Sequence, residues 1–138
     1  MTPIHQPPTI CQVTRVIDGD TLICDRKMSI RLCGIDAPET GQPYSKEAQN
    51  LLIRLTLNKN ITIIPITRDK YGRIIAEIWH RNLLINTQLL NWGLAYAHHH
   101  NCPTPQTIFQ LAQQSAQTLK LNIWSSPQTP PWLYRKIK

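Results

Sequence analysis

A chain of 138 residues with a formal net charge of +7 and a sequence pI near 9.5 has the size of one domain with a single core. Its hydrophobic share of 41% argues against a disordered polymer, and it lacks the apolar run of about 18 residues that a membrane-spanning helix needs. The positive balance points to an acidic partner, of which nucleic acid is the commonest.

Residues 1–9 read as an irregular, proline-containing lead-in, without the basic start and apolar stretch of a signal peptide. Residues 10–17 have a strand pattern around Val13, Val16 and Ile17. Asp18-Gly19-Asp20 is a turn, 21–24 a second strand, Asp25-Arg26-Lys27 a polar turn and 28–35 a third strand. Pro38 then breaks regular structure. Ser45 is placed to cap a helix over 46–57, with Ala48, Leu51, Leu52 and Leu55 on its apolar face. A strand over 61–66, a charged hairpin loop over 68–73 and a fifth strand over 74–79 follow. A short helix over 84–92 stops at Gly93. Thr104 caps a last helix with Pro105 in its first position, and Ile108, Leu111, Ala112, Ser115 and Leu119 form its expected inner face.

This order predicts a mainly β chain of the α+β class: a five-stranded OB-type β-barrel with three α-helices, over residues 10–126. Residues 127–138 form a Pro-rich, basic tail, expected to behave as an ordinary flexible terminus. Trp79, Trp92 and Trp124 are expected in or beside the core. No Cys-x-x-Cys pair occurs among Cys11, Cys24, Cys33 and Cys102, so a zinc ribbon or thioredoxin-type site is not supported. Cys24 and Cys33, inside apolar runs, read as buried thiols; the even count permits disulfides without assigning them. His98-His99-His100 reads as a mobile, solvated loop, because adjacent histidines cannot all face one metal in regular structure.

The acidic residues carry the chemical signal. Five of the eight, Asp18, Asp20, Asp25, Asp36 and Glu39, fall within one short stretch of a basic chain. Hard cations such as Ca²⁺ and Mg²⁺ take carboxylate oxygens. Phosphodiester hydrolysis needs such a cation to offset phosphate charge, arginines to hold the remaining oxygens, and a carboxylate to take a proton from water. Asp20 opens one strand, Asp36 closes another that carries Arg31, Glu39 follows a proline turn, and Arg73 opens the fifth strand. Strand alternation alone puts Arg31 and Asp36 on opposite faces, so their convergence requires a bulge or twist near Gly34.

The runs Val16-Ile17-Asp18-Gly19-Asp20-Thr21, Ile30-Arg31-Leu32-Cys33-Gly34-Ile35-Asp36-Ala37-Pro38-Glu39-Thr40 and Asp69-Lys70-Tyr71-Gly72-Arg73 resemble the three signature segments of the staphylococcal nuclease (thermonuclease) family. Gly93-Leu94-Ala95 and Leu121-Asn122-Ile123-Trp124 resemble two further landmarks. The resemblance implies a Ca²⁺-dependent nuclease that cleaves DNA and RNA, prefers single strands and leaves 3′-phosphate ends. It implies Ca²⁺ on Asp20, Asp36 and the Ala37 carbonyl, with Asp18 beside them. It implies Glu39 acting on the attacking water and Arg31 and Arg73 clamping the phosphate. Lys70 and Tyr71 match positions near a terminal phosphate, and Tyr96 is a base-contact candidate. Export or a periplasmic location and a monomeric state are expected on the same ground. The alternative is a non-catalytic nucleic-acid-binding module, against which retention of all five residues Asp20, Arg31, Asp36, Glu39 and Arg73 counts.

Overall fold

Alternating buried and exposed side chains along residues 9–18 and 60–68 give two long half-buried strands, and the rest of the sheet assembles on them. In a computed structural model that describes residues 2–3 and 7–137, the strands are β1 (Thr2–Pro3), β2 (Thr9–Asp18), β3 (Thr21–Cys24), β4 (Met28–Leu32), β5 (Ile35–Asp36), β6 (Asn60–Arg68), β7 (Ile74–His80), β8 (Leu83–Leu84) and β9 (Tyr96–Ala97). The helices are α1 (Ser45–Thr56), α2 (Ile85–Asn91), α3 (Gln106–Thr118) and α4 (Pro131–Ile137), with a 3₁₀ turn at Asn122–Trp124. Parts of the expected lead-in (1 and 4–6) and of the tail (138) lie outside the described residues.

The main sheet runs β1-β6-β2-β3-β4-β7-β8, and β6 also pairs with β7. Strands β6, β2, β3, β4 and β7 therefore close into a five-stranded barrel of the OB type. Among the described residues only the β4–β7 pairing is parallel, with Arg31 opposite Ile75. Val13, Leu22, Ile30, Leu32, Ile63, Ala76 and Ile78 fill the interior, and Leu52 of α1 joins the same core. A separate two-stranded ribbon pairs Asp36 of β5 with Tyr96 of β9.

Several expectations are corrected. α1 begins at Ser45 itself, behind Tyr44 in a left-handed conformation, so Ser45 belongs to the first turn rather than the cap. α3 turns Phe109, Ala112 and Ala116 inward and leaves Ile108, Leu111 and Leu119 exposed. The large Phe109 ring decides that orientation, because it fits against Gly34, where there is no Cβ. Trp92 is exposed rather than core. Cys24 and Cys33 are not thiols: Cys11 is bonded to Cys24, and Cys33 to Cys102. The first disulfide joins β2 to β3. The second ties the exit of β4 to the loop before α3. A fourth helix, α4, occupies the segment expected to be a flexible terminus. None of the helices among the described residues is long and apolar enough to cross a membrane.

Candidate active site

The β2–β3 turn and the exit of β4 meet at one rim of the barrel. Gly19 lets them meet: a Cβ there would stand 2.6 Å from the Ala48 Cβ and 2.8 Å from the Ala37 Cβ. The turn can thus lie flat on α1 and on the segment after β5. Leu32 N–H donates to the Asp20 carbonyl at 2.9 Å, and Ala37 N–H donates to Asp20 Oδ2 at 2.8 Å. Thr21 Oγ1 adds a bond to Asp20 Oδ1 at 3.1 Å.

Gly34 supplies the irregularity that Arg31 and Asp36 require. It sits between β4 and β5 with φ +75°, a left-handed conformation that favours glycine. The chain turns there, and its two carboxylates face one guanidinium: Arg31 Nη2 lies 3.5 Å from Asp20 Oδ2 and 3.7 Å from Asp36 Oδ1. Arg31 Nη1 donates to the carbonyls of Leu32 at 2.6 Å and Ile35 at 2.9 Å. The guanidinium is therefore fixed by backbone as well as by charge.

Burial pushes the Asp20 carboxyl toward neutrality, but Arg31 and the hydrogen bonds from Asp18, Ala37 and Thr21 outweigh it and hold its pKa below the ordinary value. Asp18 accepts the Asp20 N–H at 3.0 Å. Burial, followed by the Asp20 charge, pushes its pKa up to about 7. Asp20 and Asp36 thus present carboxylate oxygens at the rim, with Asp18 beside Asp20. An oxygen-only, anionic and largely buried donor set fits a hard divalent cation.

Glu39 is positioned by a reciprocal pair: its N–H donates to Gln42 Oε1 and its carbonyl accepts from Gln42 N–H, both at 2.9 Å. Gln42 Nε2 in turn donates to the Thr129 carbonyl at 2.7 Å. Arg73 lines the same open cleft of about 650 Å³ as Arg31, Asp36, His98, Trp132 and Arg135. Its Nε is engaged by Asp69 Oδ2 at 2.7 Å. Lys70 and Tyr71 stand at the exposed β6–β7 hairpin tip, with the Lys70 ammonium and the Arg73 guanidinium 5.3 and 5.5 Å from the Tyr71 ring centre. Tyr96 is buried, with its ring edge-on to Trp124 and Trp132.

The histidine loop is packed rather than free. His98 stacks on Trp132 at 4.1 Å and 2°. Burial and the neighbouring His99 lower its pKa. His98 N–H donates to the Gly34 carbonyl, and His100 bonds the Thr104 carbonyl. Buried Glu77, beside the Cys33–Cys102 disulfide, accepts from Thr104 N–H at 2.6 Å and Trp79 Nε1 at 3.1 Å, which supports this loop from below. The two sulfurs are bonded to each other, so they offer no thiolate to a metal.

The family model for staphylococcal nuclease homologues matches residues 29–126. The chain belongs to the staphylococcal nuclease family. It is 38% identical over 128 residues to the thermonuclease of Staphylococcus hyicus, covering 83% of this chain and 75% of that protein. A protein named as an uncharacterized endonuclease from Escherichia coli is 30% identical over 141 residues, covering 95% of this chain and 91% of the relative. One of the same description from Haemophilus influenzae is 30% identical over 119 residues, of which the match spans 83% of this chain and 66% of the relative. The staphylococcal nuclease match reaches the residues of the rim from Arg31 through Arg73. It stops before Trp132 and Arg135, which the sequence reading also missed. The only signal for them was the mixture of aromatic and basic residues in Trp132-Leu133-Tyr134-Arg135-Lys136.

Proposed function

We propose that this chain is a Ca²⁺-dependent nuclease that hydrolyses phosphodiester bonds of DNA and RNA, prefers single strands and leaves 3′-phosphate ends. The observation that carries the reading is the placement of Arg31 between Asp20 and Asp36 at the rim where Gly34 turns the chain. Family membership supports the reaction class.

Asp20, Asp36 and the Ala37 carbonyl would hold the cation, with Asp18 beside them. When bound, Ca²⁺ supplies a positive charge that offsets the anionic phosphate. Arg31, held by two carbonyls, presents its remaining N–H groups to a phosphate oxygen. Arg73 lines the same cleft and would serve as the second clamp, stabilising the charge that grows on phosphorus oxygens. Glu39 takes the proton of the attacking water or orients that water. Lys70 and Tyr71 at the hairpin tip would meet a terminal phosphate, and Tyr96, packed against Trp124 and Trp132, would contact a base only after those rings shift. Two disulfides fit an oxidising compartment, which favours export or the periplasm, and the enzyme acts as a monomer.

The test is cleavage of single-stranded DNA and of RNA with Ca²⁺ or EGTA, beside Glu39→Gln. The expected result is cleavage with Ca²⁺ only, ending in 3′-phosphates, and a large loss in the variant. Binding without cleavage would instead support a non-catalytic module. Equal cleavage by Glu39→Gln would remove the role given to Glu39.

A further inference from the structure

Helix α4 lies across the mouth of the site. The Arg135 guanidinium donates to both oxygens of Asp36, from Nη1 at 3.1 Å and Nη2 at 2.7 Å, and Nη1 also donates to Glu39 Oε1 at 2.5 Å. A side chain 99 positions from Asp36 thus engages two of the carboxylates to which the reaction assigns a cation and a water. The forked bond to Asp36 is the strong, bidentate kind.

The helix is held at four further points. Trp132 stacks face to face on His98 and meets the edge of Tyr96 at 5.3 Å. Pro131 is buried. Thr129, just before the helix, is held by Gln42 Nε2, from the same glutamine that positions Glu39. The Tyr134 hydroxyl lies 3.1 Å from the position of a Cβ on Gly41.

Little else stabilises α4. It has seven residues, too few to persist as an isolated helix in water. Leu133 and Ile137 are exposed, so beyond Pro131 and Trp132 its apolar residues contribute little. It is an element of low local stability, held by contacts to the site and to the aromatic shelf beside it.

We propose that α4 is an autoinhibitory strap, in which Arg135 competes with the divalent cation for Asp36 and Glu39 and must leave before the site loads. This rests on the reading of those carboxylates given above. Charge makes the exchange selective. Arg135 and its exposed neighbour Lys136 are attracted to a nucleic-acid backbone as well as to the carboxylates. A polyanionic strand entering the cleft with its cation offers the strap an alternative partner, whereas cation alone must displace it unaided. The apparent cation affinity of the free protein is then reduced by the fraction of molecules with the strap open.

The test is calorimetric titration of Ca²⁺ into the full chain and into Arg135→Gln, Trp132→Ala and Lys136→Gln. Arg135→Gln removes the competitor, and Trp132→Ala unseats the helix without changing its charge. Both are expected to bind Ca²⁺ about tenfold more tightly than the unmodified chain, with Lys136→Gln unchanged. An unchanged or weaker affinity in Arg135→Gln overturns the strap while leaving the metal assignment standing. Equal tightening in Lys136→Gln also overturns it, because bulk charge would then be the cause. Absence of Ca²⁺ binding in every chain overturns the metal assignment, and the proposal falls with it.

Discussion

The backbone N–H of Ala37 donates to Asp20 Oδ2 at 2.8 Å, so the carboxylate at the β2–β3 turn also holds the segment that leaves β5. Asp20 is buried, as is Ala37, and removal of the acceptor strands a buried donor. Asp20→Ala is expected to destabilise the fold by about 1–3 kcal/mol. Asp20→Asn keeps an oxygen for the Ala37 N–H but loses the charge that Arg31 and the surrounding hydrogen bonds favour, so it should lose stability too, though less than Asp20→Ala. Both should weaken Ca²⁺ binding by about tenfold or more, since each removes an anionic ligand. Thermal unfolding beside calorimetry separates the two effects. Unaltered Ca²⁺ affinity in Asp20→Asn would remove this residue from the cation site.

Gly34 makes the pairing of Arg31 with both carboxylates sterically possible. A Cβ there would stand 2.7 Å from Phe109 and 2.8 Å from Cys102 Sγ, and its φ is +75°. Gly34→Ala is expected to cost about 2–4 kcal/mol from left-handed strain and overpacking together. Activity measured well below the variant's melting temperature should fall as well, because Arg31 and Asp36 lose their shared geometry. Full activity under those conditions would mean that the two residues need no such turn.

Gly34 also shows how far the sequence could be read. Alternation placed Arg31 and Asp36 on opposite faces, and that contradiction located the irregularity that the structure contains. The barrel strands were legible for a related reason: their burial follows a period of two, which a sequence displays directly. α3 was misread because several of its apolar residues lie outside the buried stripe. The stripe is chosen by what Phe109 meets at Gly34, in the distant turn between β4 and β5. The pairing of Cys33 with Cys102 and of Arg135 with Asp36 depends on contacts across 69 and 99 positions. No local pattern encodes them. His98 likewise looked solvated because its stacking partner, Trp132, belongs to a segment that gave no helical periodicity.

The two disulfides should differ in their contribution to stability. Cys33–Cys102 closes a separation of 69 residues and Cys11–Cys24 one of 13. Chain-entropy reasoning gives about 4 and about 3 kcal/mol respectively as the loss on paired replacement by serine. The Cys33–Cys102 pair also anchors the loop carrying His98 and His100 beside the cleft. Its replacement should therefore raise hydrogen exchange at residues 98–102, which replacement of Cys11 and Cys24 should not do. Denaturant unfolding and amide exchange on the two variants check both statements, and equal exchange in that loop would contradict the anchoring role.

Asp69 sets the pH dependence of the β6–β7 hairpin. Its carboxylate accepts from the Tyr71 and Arg73 N–H groups at 2.9 and 3.0 Å and from Arg73 Nε at 2.7 Å. Burial is the largest single influence and opposes ionisation, but the Arg73 side chain and the backbone donors together outweigh it and lower the pKa below the ordinary 3.8. A lowered acid pKa stabilises the folded state above the unfolded value, and that contribution is lost as pH falls through the folded one. Asp69→Asn should therefore be less stable than the unmodified chain by about 1 kcal/mol near neutral pH, in keeping with a partly exposed pair. The gap should close as pH drops below about 3.8, where the unmodified carboxylate also becomes neutral. Thermal midpoints of both proteins across that range provide the check. A gap that persists at the acid end would show that the carboxylate's charge is not what holds the hairpin and Arg73 in place.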